Sequence, residues 1–226
     1  MSRILVLRPE PGASQTVKRA RARGLDAVNI PLFEVEAVAW QPPEAGGFDA
    51  LLLTSANALR FGGEQLMDLR GLAVHAVGEA TAEAARHAGF DIASTGDDGV
   101  ERLLGSLEAA LRLLHLCGEH RSASGEPRQT ITTVPVYRSK AIEPAPDVSE
   151  AADSVVMVHS PRAGRRFADL AEEQRLDRTR IAVVAISQAA GAATGSGWRC
   201  VEAADRPSDD ALLALAERLC EKLRQG

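Results

Sequence analysis

The sequence predicts an α/β protein built on parallel sheets. Three observations lead there: short apolar runs alternate with amphipathic helical stretches along 226 residues, the pattern repeats, and it lapses at two proline-bearing extended segments. FDALLLTSANALRF (Phe48 to Phe61) returns as ADSVVMVHSPRAGRRF (Ala152 to Phe167), each an apolar run breaking at a small hydroxyl residue into a helix start. HAVGEAT matches VAISQAA, and RLL matches ALL, both at an offset of 109 residues, so a duplicated unit is expected. Open parallel sheets bind ligands at the carboxyl ends of their strands, and two copies would supply two such rims.

The elements come in order. Ile4 to Leu7 is a strand, RPEPG a turn, and Ala13 to Arg23 a helix stopped by Gly24. AVNIPLFEVEAVAW reads as extended, with Pro31 marking an edge or linker because proline cannot donate to a ladder. After the QPPEAGG loop come a strand at Ala50 to Leu53, a helix from Ala56, a strand at Ala73 to Val77 and a helix from Glu79 to Ala88 ended by Gly89. A short strand near Asp91 and a helix from Gly99 to Leu111 complete the first copy.

The second copy opens with the strand LRLLHLCG and the extended TITTVPVYRSKAIEP, which has its own internal Pro135. LVLRPE and LHLCGE stand 109 residues apart but IPLF and VPVY only 104, and HRSASGEPRQT lacks a helical pattern. One crossover helix is therefore expected to be reduced to a loop. Next are a strand at Ser154 to Val158, a helix from Pro161, a strand at Ile181 to Ile186, a helix through Ala189 to Ala193, and a strand near Cys200. The last helix opens at Ser208-Asp209-Asp210, a serine cap with two carboxylates in the positive first turn.

Composition narrows the function classes. With 45% apolar residues the chain can build ordinary cores, and its longest apolar runs are strand-sized, so no membrane span is expected. MSRILVLRPEPG lacks a secretory pattern, which points to the cytoplasm. Cys117, Cys200 and Cys220 form an odd set without CxxC spacing and read as reduced thiols. A net charge of −5 and 4% aromatic residues argue against nucleic acid as a partner. No exposed heptad suggests a partner helix, and a monomer is expected.

Several turns are candidates for chemistry. Thr54-Ser55-Ala56-Asn57 and His159-Ser160-Pro161-Arg162 each place a hydroxyl where a helix begins; capping alone explains the serines, while free N–H groups there would also suit a carboxylate. Val77-Gly78-Glu79-Ala80-Thr81 permits a close backbone approach at Gly78, whereas its counterpart Ile186-Ser187-Gln188-Ala189-Ala190 lacks both the glycine and the threonine. Neither is a GxGxxG or a P-loop. His115 and Cys117 share a strand face, but nothing completes a metal set, and no nucleophile elbow is present. Tyr137, the one tyrosine of the chain, stands beside Arg138; protonated at neutral pH, it suits either hydrogen-bond donation and general-acid work or simple packing.

In their order, Arg8-Pro9, TSANA (Thr54 to Ala58), VGEAT (Val77 to Thr81), VPVYRS (Val134 to Ser139), HSPRAGRRF (His159 to Phe167), a GW and the closing PSDDALL (Pro207 to Leu213) resemble the uroporphyrinogen-III synthase family over essentially the whole chain. The resemblance implies two flavodoxin-like or Rossmann-like domains joined by a two-stranded extended linker. Residues 1–34 with 141–226 would form one domain, 39–133 the other, and 35–38 and 134–140 the linker strands. It implies an enzyme without cofactor or metal whose substrate is hydroxymethylbilane, a linear tetrapyrrole with eight carboxylates. The product, uroporphyrinogen III, forms by loss of water, ring closure and inversion of the last pyrrole through a spiro-pyrrolenine.

The same resemblance implies roles. Tyr137 matches the family's linker tyrosine and would assist departure of hydroxide. Arg8, Arg138 and Arg162, the turns at Thr54, Ser55 and Asn57, at Gly78, Glu79 and Thr81, at Ser160, and at Ser187 and Gln188 would hold substrate carboxylates. ISQAA departs from the glycine and paired threonines of many relatives, so Ser187 and Gln188 would supply the polar contacts there. Two rival readings are a non-catalytic two-domain ligand-binding protein and a nucleotide-dependent oxidoreductase. The missing glycine fingerprint counts against the second.

Overall fold

The computed structural model describes residues 3–96, 99–120 and 127–225. In chain order the elements begin β1 (Ile4–Val6), α1 (Gly12–Ala22), β2 (Ala27–Asn29), β3 (Phe33–Ala37), β4 (Ala50–Leu53), α2 (Asn57–Phe61), β5 (Ala73–Val77), α3 (Glu79–His87), β6 (Ile92–Gly96) and α4 (Val100–Ser106). They continue β7 (Arg112–Gly118), β8 (Thr130–Ala141), β9 (Val155–Val158), α5 (Pro161–Glu173), β10 (Ala182–Ala185), α6 (Gln188–Ala192), β11 (Cys200–Ala203) and α7 (Asp209–Gln225). The chain divides into two compact units, Met1–Glu34 with Lys140–Gly226, and Val35–Ser139.

The first unit holds a five-stranded sheet of order β11-β10-β9-β1-β2, parallel throughout. Every residue of β1, β9 and β10 is buried, as expected of strands covered on both faces, which read as apolar runs rather than alternations. On one face Ala13, Val17 and Ala20 of α1 pack with Leu212, Leu215, Ala216 and Leu219 of α7. On the other, α5 contributes Ala163, Phe167, Leu170 and Ala171. Gly164 lets α6 come close, since a methyl there would stand 2.8 Å from the Ala190 carbonyl oxygen.

The second unit holds a six-stranded sheet of order β3-β8-β7-β4-β5-β6. Along β4, Leu51 and Leu53 join the cluster packed with Ala58, Ala82 and Ala85, whereas Ala50 and Leu52 join Leu103 and Leu104 of α4. Alternate residues of one strand thus serve two opposite cores. Read from the β6 edge, β6-β5-β4-β7-β8 repeats the order β11-β10-β9-β1-β2, so the sequence repeat has a counterpart in topology.

The end of α4, the length of α2 and the place of Pro31 differ from expectation. The helix expected over Gly99 to Leu111 ends at Ser106, where Leu107 turns extended and the Gln129 side-chain amide donates to the Leu104, Leu107 and Glu108 carbonyls, satisfying orphan helix-end acceptors. The helix expected from Ala56 is only Asn57–Phe61, succeeded past Gly62-Gly63 by a 3₁₀ stretch, Glu64–Leu69. Pro31 lies between β2 and β3 rather than inside one extended stretch, whereas Pro135 lies inside an extended strand as expected, in β8, which has a neighbour on each side; an irregularity of the β7–β8 pairing accompanies it. The expected loss of a helix in HRSASGEPRQT falls largely on 121–126, outside the described residues. Among the described residues no helix is long and apolar enough to cross a membrane.

Candidate active site

Two groups of polar side chains gather near strand ends, one in each unit. In the first unit the centre is Asp209, only 15% exposed at the start of α7. His159, the residue after β9, brings Nε2 to 3.0 Å from Asp209 Oδ1. Thr16 of α1 donates its hydroxyl to the same carboxylate at 3.0 and 3.1 Å, Arg19 donates at 2.8 Å, and Arg8 after β1 stands at 3.5 Å. Burial pushes the Asp209 carboxyl upward, but the hydrogen bond from His159, the charge of Arg8 and the Thr16 hydroxyl outweigh it and leave it below the usual carboxylate range. Burial lowers the His159 imidazole, with Arg8 adding to the fall, and outweighs the hydrogen bond to Asp209. A neutral ring that donates Nε2–H to Asp209 satisfies both tendencies, since Arg8 and Arg19 already balance the carboxylate.

Arg8 is held from behind as well. A methyl at Gly12 would stand 2.6 Å from its Nε, 2.8 Å from Cζ and 2.9 Å from Nη2, so the guanidinium lies against the first turn of α1. A cavity of about 430 Å³ opens beside it, lined by Arg8, Thr16, Lys18, Arg19 and Asp209 among others. Of the remaining candidates in this unit, Ser160 accepts from Ala163 N at 3.1 Å and Ser187 from Ala190 N at 3.3 Å, both true helix caps. Arg162 places Cζ 4.4 Å from the centre of the Phe33 ring, and burial lowers its guanidinium. Gln188 is exposed.

In the second unit the centre is Tyr137 on β8. Its phenol lies close over Gly118, with the Ser55 hydroxyl and the Gly118 backbone amide acting on it, and its ring lies 6.4 Å from that of Phe61. Burial raises the phenol above its ordinary value of 10.0 and the Cys117 thiol adds to the rise, against the opposing pull of Ser55 and Gly118. Tyr137 is therefore a protonated donor at neutral pH. Beside it, Thr54 at the end of β4 meets His115 Nε2 of β7 at 3.1 Å.

At Ser55 the structure departs from the expected cap. Its hydroxyl accepts from Asn57 N two residues on, at 3.2 Å, and α2 has no side-chain cap; five residues also make too short a helix to serve as an anion site. Asn57 accepts from Arg60 at 3.0 Å. Gly78, at φ +81, makes the turn into α3 and donates its N–H to the Gly96 carbonyl at 2.7 Å. Glu79 pairs with Arg86 at 2.6 Å, and Arg138 pairs with Glu36. Thr81 is 5% exposed, which gives it a packing role.

Sequence reading missed Thr16, Arg19, His159 and Asp209 as one cluster, and missed Gly12 and Gly118 as seats for Arg8 and Tyr137. Asp209 was visible only as a first-turn carboxylate, because the neighbours of α7 depend on strand order. The glycines carried no motif.

The family model described as uroporphyrinogen-III synthase HemD matches residues 14–214. No curated protein matches the chain. Among solved structures, uroporphyrinogen-III synthetase from Helicobacter pylori 26695 superposes with a TM-score of 0.63 at 19% identity, over 97% of this chain and 100% of that one. A mutant uroporphyrinogen III synthase from the extremely thermophilic bacterium Thermus thermophilus gives a TM-score of 0.49 at 17% identity, over 98% and 100%. The likeness of fold rests on the first, and this chain is a mixed α/β structure with parallel sheets.

Proposed function

We infer, from the premise that this chain belongs to the uroporphyrinogen-III synthase family, that it converts hydroxymethylbilane to uroporphyrinogen III as a cyclising lyase of tetrapyrrole biosynthesis. The reaction loses one water, is redox-neutral, and needs positioning and proton transfer at the leaving hydroxyl. Because the linear substrate closes unaided to the symmetric isomer, the enzyme must steer as well as accelerate. A hundredfold preference for isomer III corresponds to about 2.7 kcal/mol between competing transition states.

The observation that carries the reading at residue level is the phenol of Tyr137, half-buried, raised in pKa by burial and held by Ser55 and the Gly118 amide. A donor so held keeps its proton until a better base forms, and departure of hydroxide from the terminal carbon creates that base. General-acid help of this kind contributes roughly 10² to 10⁴ in rate. The proton is returned when the closed macrocycle regains its aromatic pyrroles. Arg8, Arg138, Arg162 and the turns at Gly78, Ser160 and Ser187 are the proposed contacts for substrate carboxylates. The two-domain division, with residues 35–38 and 134–140 as linker strands, the monomeric state and a cytoplasmic location belong to the same proposal.

The deciding experiment incubates the protein with freshly prepared hydroxymethylbilane, oxidises the products and separates isomers I and III. Predominant isomer III is expected. Isomer I alone, at the rate without protein, would overturn the assignment.

A further inference from the structure

The β7–β8 ladder runs in step from Arg112↔Thr130 to Cys117↔Pro135 and then skips, so that Gly118 pairs with Tyr137. Val136 is the extra residue of a bulge, its carbonyl turned to Val38 N at 3.1 Å on the other side of β8. A bulge breaks the alternation of a strand and re-aims the side chains beyond it. Val136 is fully buried and Tyr137, its immediate neighbour, packs against the same core cluster, which a regular strand would not allow. The re-aimed ring arrives over Gly118. A methyl there would stand 2.8 Å from Tyr137 Cε2, 3.0 Å from Cζ and 3.3 Å from the phenol oxygen, at the hydroxyl-bearing edge of the ring.

The repeat sharpens the point. Phe33 occupies in IPLF the place of Tyr137 in VPVY, and Pro9 in LVLRPE the place of Gly118 in LHLCGE. The first unit therefore has neither the hydroxyl nor the bare, N–H-bearing seat, although it has kept the aromatic ring.

We propose that Gly118 and Ser55 are positioning residues for Tyr137: the bulge at Val136 turns the ring onto the bare face of Gly118, and the Gly118 N–H with the Ser55 hydroxyl fixes the direction in which the phenol presents its proton. This rests on the acid role of Tyr137 given above and adds two residues that act only through it. Misplacing a reacting group by about 1 Å costs on the order of 10²-fold in rate, so the seat matters even though it never meets substrate.

Tyr137 is the one tyrosine of the chain, so the absorbance change of tyrosine ionisation reports on this phenol alone. Gly118→Ala, Ser55→Ala and Ser55→Thr are made in the native protein and in Tyr137→Phe, with circular dichroism as a check on folding. Gly118→Ala is expected to lower kcat about 10- to 100-fold with KM changed less than about threefold, and to move the phenol titration down toward its ordinary value as the ring leaves its buried seat. Ser55→Ala is expected to raise that titration further and lower kcat, with Ser55→Thr restoring both. In Tyr137→Phe neither change has a further effect. An unaltered titration in both alanine variants overturns the seat. Equal losses of kcat in the Tyr137→Phe background overturn the claim that these residues act through the phenol. If Tyr137→Phe itself turns over normally while the titration shifts appear, the acid role fails and the seat stands, so the two readings fail separately.

Discussion

The imidazole of His159 and the carboxylate of Asp209 meet at 3.0 Å with only 8% and 15% of their side chains exposed, joining the end of β9 to the first turn of α7. Burial makes the folded protein resist protonating His159, whose folded pKa lies below its ordinary 6.5, while unfolded chains take up that proton freely. Between those two values the unfolded state binds more protons, so stability rises with pH and the His159 contribution is complete above about 6.5. Asp209, whose carboxyl is also held low, loses its contribution at more acid pH, as pH falls below about 3.8 through its folded value. Denaturant unfolding measured from pH 8 to pH 4 is expected to show stability falling on acidification, beginning near the histidine range. His159→Gln should flatten that part of the profile; an unchanged slope would remove the assignment.

Gly12 supports a second expectation. Its missing side chain is the space that the Arg8 guanidinium fills, and a methyl carbon placed there would meet that group at 2.6 to 2.9 Å. An arginine terminus is flexible, so Gly12→Ala should displace Arg8 from Asp209 and leave the helix in place. Alanine is also the better helix former, by up to about 1 kcal/mol in a helix interior, which offsets any loss of the 3.5 Å ion pair. The expected result is near-normal stability with KM for hydroxymethylbilane raised several-fold and kcat little changed. Steady-state kinetics checks it, and an unaltered KM would place Arg8 outside the substrate contacts.

The α/β class was legible because burial on both faces makes β4, β9 and β10 uniformly apolar, and each is followed two residues later by a serine suited to a turn: Ser55, Ser160, Ser187. The cap at Ser160 was legible for the same local reason, whereas the one at Ser187 was read only as a turn. What local chemistry does not encode is which strand neighbours which. Thr16 and Asp209 are almost two hundred residues apart, and only the order β9-β1-β2, with α1 and α7 on one face, brings them together. The Gly118 seat was hidden similarly, since it depends on a single-residue slip in the pairing of β7 with β8. The premature end of α4 depends on Gln129, a side chain from the far side of β7.

The two TSANA-like turns separate capping from other uses of serine. Ser160 bonds Ala163 N and opens a 13-residue helix, whereas the Ser55 hydroxyl accepts from Asn57 N two residues on. Ser160→Ala is expected to cost about 1 kcal/mol, and Ser55→Ala distinctly less, because no N-cap bond is lost. Denaturant midpoints of the two variants test this, and a larger loss from Ser55→Ala would contradict it.

The stack of Phe167 on Trp198 gives the last expectation. Phe167 is fully buried, its ring centre is 5.2 Å from that of Trp198, and Arg178 Cζ lies 4.9 Å over the indole. Trp198 donates Nε1–H to the Thr194 carbonyl at 3.0 Å, so the indole is fixed at both its polar and apolar ends. Removing the phenyl ring loses its burial and leaves a cavity between α5 and the sheet, a change that typically costs about 3 to 5 kcal/mol. Phe167→Leu keeps most of the volume and should cost distinctly less. Trp40 is the only other tryptophan, so Trp40→Phe leaves Trp198 as the sole indole and its fluorescence reports on this unit. In that background Phe167→Ala is expected to shift the Trp198 unfolding midpoint to much lower denaturant, with Phe167→Leu between it and the parent. Coincident midpoints for all three would mean that the stack contributes nothing to holding α5 against the sheet.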